Sequence, residues 1–154
     1  MREFMEQYEL VYKELYRLAY YYLGDVHEAE DAVMDTVLAA YESYGKLRNQ
    51  AAFRNWIFKI LVNQCKRRMR RFYEKQEELM EDSCIHEPDY TDKTYIQTVL
   101  QSLSEEERLI VSLIVFGGYK GEEVARVLKK KHSTIRSKYR RAIDKLKKQL
   151  EKET

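Results

Sequence analysis

Apolar residues recur every three or four positions through most of this chain, the period of a helix with one buried face. Phe4, Tyr8, Val11, Leu15, Leu18 and Tyr22 mark a first helix over residues 4–23. Gly24-Asp25 reads as a stop and a restart, with Asp25 as N-cap of a second helix from about Val26 to Tyr44. Its inner side is expected to hold Ala29, Val33, Val37, Ala40 and Tyr41. Residues 45–50, GKLRNQ, have no apolar period and read as a loop. A third helix runs from Ala51 to about Tyr73. Three such helices with short connections can bury one another's apolar faces in a first domain over residues 1–73.

Residues 74–93 hold the single proline, and the second half of this acidic stretch reads as a linker, while its first half can extend the third helix. Helical spacing resumes at Tyr95, Ile96, Val99, Leu100 and Leu103. SEEE, residues 104–107, fits a capping box of Ser104 and Glu107 opening a helix that stops at Gly117-Gly118. EEVARVL then gives a short helix, Lys129-Lys130-Lys131 a basic turn, and a long helix starts near Ser133. This is a helix-turn-helix pattern, in which Val124, Ala125 and Leu128 pack on Ile135, Tyr139, Ala142 and Leu146. Ala125 suits a close helix crossing. The expected fold is all-α, with two small helical domains, 1–73 and 94–154, joined by an acidic linker, 74–93. One proline and five glycines in 154 residues argue against a many-stranded β fold.

The net charge of +2 says little, but its distribution says more. Residues 129–148 carry ten Lys or Arg against one acid, Asp144, whereas residues 74–93 carry eight acids against two lysines. Such asymmetry marks nucleic-acid or multi-partner binding. No leader with a cleavage site and no apolar run of about 18 residues is present, so the expectation is a cytoplasmic protein without membrane insertion. Cys65 and Cys84 do not make a disulfide framework. Cys65, Cys84 and His86 offer three ligands at most, and no metal or other cofactor is expected. No Ser/His/Asp set or phosphate loop appears, so neither an enzyme nor a small-molecule substrate is expected.

At about 100° per residue, the face opposite the helix-turn-helix seam carries Ser133, Arg136, Ser137, Arg140 and Arg141. Hydroxyls and guanidiniums there can reach base edges and phosphates in a major groove. On the third helix, Trp56, Lys59, Asn63, Lys66, Arg67 and Arg70 share one arc, while Phe53, Ile57, Ile60, Leu61 and Cys65 lie opposite with Gln64 and Arg68 as polar interruptions. Trp56 reads as a core residue. Asn63 and the cations read as a track for unstacked nucleotides. Glu28, Asp31, Asp35 and Glu42 form a stripe on the second helix. It is either an ordinary solvated face or the docking face for a basic protein surface.

Three segments together resemble the extracytoplasmic-function (ECF) sigma factors, promoter-recognition subunits of bacterial RNA polymerase. LAYYYLGDVHEAEDAVMDTVLAAY is similar to the family's polymerase-binding segment and LRNQAAFRNWIFKILVNQCKRR to the segment that melts and reads the minus-ten element. LSEEERLIVSLIVFGGYKGEEVARVLKKKHSTIRSKYRRAIDKL is similar to the domain that reads the minus-thirty-five element. The resemblance implies that Glu28, Asp31 and Asp35 face a basic coiled coil of core RNA polymerase. It implies that Leu47, Arg48 and Asn49 hold a flipped base near Asn63, and that Lys66, Arg67 and Arg70 hold the adjoining strand. Ser133, Arg136, Ser137, Arg140 and Arg141 would enter the upstream promoter DNA, and an anti-sigma factor is an implied partner. Where the family turn reads glycine, aliphatic, serine-like cap, this chain has Lys129, Lys130 and Lys131. That implies a turn without its left-handed glycine and its buried aliphatic, and more non-specific DNA affinity. The alternative is a sigma-like phage or regulatory helix-turn-helix protein that does not replace the housekeeping factor.

Overall fold

The computed structural model describes residues 1–81 and 95–152, and the chain divides into two compact units between Asp92 and Lys93. All regular structure among the described residues is helical. The expected linker falls partly on residues 82–93, which lie outside the described residues.

In the first unit, α1 (Arg2–Leu23) and α2 (Val26–Ser43) are separated by the two residues that the sequence marks as a stop and a restart. Gly24 takes the left-handed conformation at φ 76° and donates to Tyr20 O at 2.8 Å, a shape that a side chain disfavours. Asp25 Oδ1 accepts from Glu28 N at 2.9 Å and satisfies one otherwise unpaired donor of α2. Short 3-10 turns at Tyr44–Lys46 and Gln50–Ala52 flank the connection to α3 (Phe53–Glu81). The three helices pack on one another around Phe4, Leu15, Leu18, Ala29, Ala32, Ile57, Phe58 and Leu61, all essentially inaccessible.

Details of the buried faces depart from the periodic reading. Tyr41 is exposed at 46%, because its ring meets the edge of Phe4 from the rim (5.6 Å between centroids) instead of entering the core. Ala32 and Thr36 are buried on α2; the Thr36 hydroxyl donates to Ala32 O at 2.7 Å, so it enters the core without an unmet donor. Trp56 is half-buried, leaning on Phe53 and Tyr44 at the edge of the core. Met69 is the last buried side chain of α3 among those described, and the helix continues to Glu81, extending through the first half of the acidic stretch as that composition of strong helix formers allows.

The second unit contains α4 (Tyr95–Leu100), α5 (Glu105–Val111), a π turn at Ser112–Phe116, α6 (Gly121–Leu128) and α7 (His132–Lys152). Val99, Leu100 and Leu103 are buried as expected, but Ile96 is 51% exposed and Gln97 is buried in its place. Ser104 caps α5 as its sequence suggests: Oγ accepts from Glu107 N at 3.2 Å and donates to Glu107 Oε1 at 2.8 Å. The core joins α5, α6 and α7 through Leu109, Ile110, Val124, Ile135 and Ala142, with Tyr139 and Leu146 half-buried at its margin. Among the described residues no helix is long and apolar enough to cross a membrane.

Cys65 has no exposed surface, and burial pushes its thiol up to about 12, with Arg68 opposing only in part. In a Cys84→Ser background, the folded protein should therefore resist thiol-specific alkylation near pH 8, where the unfolded chain reacts readily. Rapid labelling under native conditions, followed by mass spectrometry, would show that α3 does not pack as described.

Candidate nucleic-acid and partner interface

The cation block of α3 divides by geometry. Successive side chains turn by about 100°, so Asn63, Lys66, Arg67 and Arg70 share one open side of the helix. Asn63, Arg67 and Arg70 are exposed, and Lys66 is partly so. Arg68 points elsewhere. Its Nη2 donates to Asp35 Oδ2 at 2.6 Å and its Nη1 to Glu28 Oε2 at 3.1 Å, with Asp31 at 4.0 Å. Burial works against the charge of Arg68, but the bonds to Asp35 and Glu28 prevail and hold its pKa above the ordinary value. The sequence reading treats Arg68 as a mere interruption of the apolar side. The packing of α3 on α2, which the sequence does not give, brings it opposite Glu28 and Asp35.

The three carboxylates that the resemblance singles out therefore lie together on α2, at exposures of 51% for Glu28, 67% for Asp31 and 45% for Asp35. A groove of about 260 Å³ runs beside them, with Asp35, Leu38 and Glu42 on one wall and Gln64, Arg67 and Arg71 on the other. Met34 and Leu38 flank the stripe as exposed apolar residues.

Leu47, Arg48 and Asn49 form the short segment between the 3-10 turns. Leu47 is half-buried, whereas Arg48 and Asn49 are exposed. Asn49 Oδ1 accepts from Ala51 N at 3.0 Å, leaving its amide NH2 toward solvent. Tyr44 and Gln50 pin the segment's ends: Tyr44 packs on Phe4 and Phe53 and donates to Gln50 Oε1 at 2.8 Å, which also accepts from Gln7 at 2.7 Å. The segment precedes α3, while Asn63 lies about 15 Å along that helix from Phe53. The two share a unit, but nothing bonds them to each other.

In the second unit, Ser133, Arg136, Ser137, Arg140 and Arg141 are all exposed on α7. Two lysines of the same helix behave differently. Lys138 pairs with Glu106, and Lys145 donates to Glu107 Oε1 at 2.8 Å, so this side of α7 is tied to α5. Burial raises the Glu107 pKa, but bonds from Lys145 and Ser104 outweigh that and hold it below the ordinary glutamate value.

The turn keeps its left-handed geometry although its glycine is replaced: Lys129 itself adopts φ 55° and ψ 47°. Lys129 N donates to Arg126 O and Lys130 N to Ala125 O, the paired bonds of a Schellman motif that normally favours glycine. The Lys130 ammonium pairs with Glu106, and the side chain is still 40% exposed. Lys129 and Lys131 remain exposed. Gly121, which opens α6, lies against the His132 ring: a Cβ there would come within 3.2 Å of Nε2.

Cys84 and His86, the other two weighed metal ligands, lie outside the described residues. Among the described residues no three His, Cys, Asp or Glu side chains cluster as a cation site.

Residues 7–73 match the Sigma-70 region 2 family, and residues 93–146 match Sigma-70, region 4. The RNA polymerase sigma factor SigV of Bacillus subtilis is 27% identical over 146 residues, which covers 92% of this chain and 87% of that protein. The ECF RNA polymerase sigma factor SigM of Mycobacterium tuberculosis is 30% identical over 135 residues, covering 85% and 68%. Among solved structures, the sigma factor RpoE of Bartonella quintana, in complex with the anti-sigma factor NepR, superposes with a TM-score of 0.76 at 26% identity over 98% of each chain.

Two consequences concern stability. Lys129→Gly should stabilise the second unit by about 0.5–1 kcal/mol, as relief of left-handed strain exceeds the added chain entropy. Urea unfolding checks it, and destabilisation would mean that the lysine side chain, not the backbone, holds the turn. The depressed Glu107 pKa contributes stability that is present above the ordinary carboxylate range and lost as pH falls through the lower folded value. Glu107→Gln should flatten that acid limb in melts taken across pH. An unchanged limb would contradict the Lys145 pairing.

Proposed function

The chain belongs to the ECF group of the sigma-70 family, and from that premise we propose how its faces divide the work of transcription initiation. As a sigma factor it binds core RNA polymerase and directs promoter-specific initiation. It is a DNA-binding regulatory subunit, and nucleotide chemistry belongs to polymerase. It acts in the cytoplasm, where its polymerase and promoters are.

Residues 1–73 bind core and the minus-ten element, residues 94–154 bind the minus-thirty-five element, and residues 74–93 connect them. Glu28, Asp31 and Asp35 receive basic side chains of the large polymerase subunit. Asn63, Lys66, Arg67 and Arg70 hold the non-template strand as it leaves the duplex, and Leu47, Arg48 and Asn49 hold a flipped base. Unstacking a base costs a few kcal/mol, which contacts to its edge and to adjoining phosphates can offset. Arg136, Ser137, Arg140 and Arg141, with Ser133 at the start of α7, enter the major groove of the upstream element, while Lys129 and Lys131 contact its phosphates. An anti-sigma protein holds the free chain by covering these faces; the RpoE relative is itself found in complex with an anti-sigma factor, NepR.

One observation carries this reading: charge is segregated within the first unit. Carboxylates line the outer face of α2 while Lys66 and Arg70, with Asn63, line an open side of α3, and Arg67 stands between that side and the groove beside Asp35. A regulator that only bound DNA would have no use for an exposed carboxylate row beside its cations.

Transcription with purified bacterial core polymerase tests it. Promoter-specific starts should appear with the wild-type chain and fall at least tenfold with Asp31→Arg, which reverses a charge that only approaches Arg68. Arg136→Ala with Arg140→Ala should weaken promoter binding and lower the salt slope by about 1 for each phosphate no longer neutralised. No starts on any promoter library, or undiminished starts with Asp31→Arg, would overturn the assignment.

A further inference from the structure

Of the α3 cation block, neither proposed binding face uses Arg68 or Arg71, and Arg68 is the one ion-paired to α2. Its side chain is 17% exposed, and its guanidinium lies behind the α2 carboxylates as seen from solvent. Glu28, Asp31 and Asp35 stand on successive turns and span about 10 Å of helix. Like charges so spaced repel one another, and each carboxylate alone would turn to whichever rotamer water favours. Arg68 takes one oxygen from Glu28 (Oε2, 3.1 Å) and one from Asp35 (Oδ2, 2.6 Å). The other oxygen of each accepts no hydrogen bond from a described residue, and both carboxylates stay about half exposed.

We infer that Arg68 is a positioning residue for the α2 face: it fixes the inner oxygens of Glu28 and Asp35 so that the outer ones, with Asp31, meet a partner helix bearing Lys or Arg on successive turns. This inference rests on the reading of α2 as the polymerase-binding helix. A guanidinium suits the task because its planar fork can serve two carboxylates at once, which a lysine ammonium does with less geometric control. Arg67 and Arg71 line the groove beside Asp35. Without Arg68, these cations are left to draw Asp35 toward α3 and away from the partner.

Charge alone gives the opposite expectation. Removing a cation from behind an acidic face makes the face more negative and attracts a basic partner more strongly. The sign of the effect therefore separates positioning from field.

The test is equilibrium binding of the full-length chain to purified core polymerase, for wild type, Asp31→Arg, Arg68→Met, Arg68→Lys, Asp35→Asn and the double variants of Asp35→Asn with each Arg68 change. Asp31→Arg reports on the underlying reading alone: wild-type affinity there sinks that reading. Given a loss there, Arg68→Met should bind core about tenfold more weakly at unchanged helix content, and Arg68→Lys should fall between it and wild type. In the Asp35→Asn background the same Arg68 changes should matter less than about threefold, because the more closely held of the two carboxylates (2.6 Å against 3.1 Å for Glu28) is gone. A merely structural role gives equal penalties in both backgrounds. Equal penalties, or Arg68→Met binding as tightly as wild type or more so, overturn the inference while leaving the α2 reading intact. Should Arg68→Met lose helical content, the Arg68→Lys pair carries the same comparison.

Discussion

At about 100° per residue, Lys66, Arg67, Arg68, Arg70 and Arg71 cannot all face one way. Helix geometry turns Arg68 toward α2 and leaves Asn63, Lys66, Arg67 and Arg70 along the outside. The ion pairs of Arg68 with Glu28 and Asp35 use that division: they join the end of the packed side to the carboxylate row and take one cation out of the repelling set. The exposed cations keep their positions because the opposite side of the same helix, from Phe53 to Met69, is anchored in a core. Packing and binding thus occupy opposite sides of one element, and rigidity on the first side supplies precision on the second.

The second unit solves the same problem by residue type. Lys138 and Lys145 of α7 and Lys130 of the turn are paired with Glu106 and Glu107 of α5, so they fasten α7 to its support. Arginines 136, 140 and 141 stay in solvent. Arginine offers a planar, bidentate fork to guanine edges and phosphates, whereas lysine serves well as a point charge in an internal pair. The turn between α6 and α7 accepts a strained Lys129 in place of a glycine. Surface charge is gained there at a conformational cost of about 1–2 kcal/mol.

Helix order, the Gly24-Asp25 break, the Ser104 cap and the helix-turn-helix were legible because each rests on local rules of period, capping or chain reversal. Fine placement was not. Tyr41 and Ile96 fit the apolar period yet lie at the rim, since period fixes a direction but not how far the neighbouring helices reach. The pairings of Arg68, Lys130 and Lys138 are not legible, because ion pairs across helices depend on which acids the fold brings opposite them. The loss of the turn's glycine leaves its geometry open in the sequence, and Lys129 keeps the left-handed conformation. The flanking helices impose that shape on whatever residue occupies it. Exposure of the cation track and of the α7 face follows from helix geometry alone, and so was readable before any coordinates.

The central claim is that two separate cationic faces meet two separate stretches of promoter. Site-specific photocrosslinking within one initiation complex tests it most directly, with a photoreactive residue at position 63 in one preparation and at position 137 in another. The account predicts that position 63 labels the non-template strand of the opened minus-ten element and position 137 the minus-thirty-five duplex. Labelling of the same element from both positions, or of polymerase alone, would contradict it.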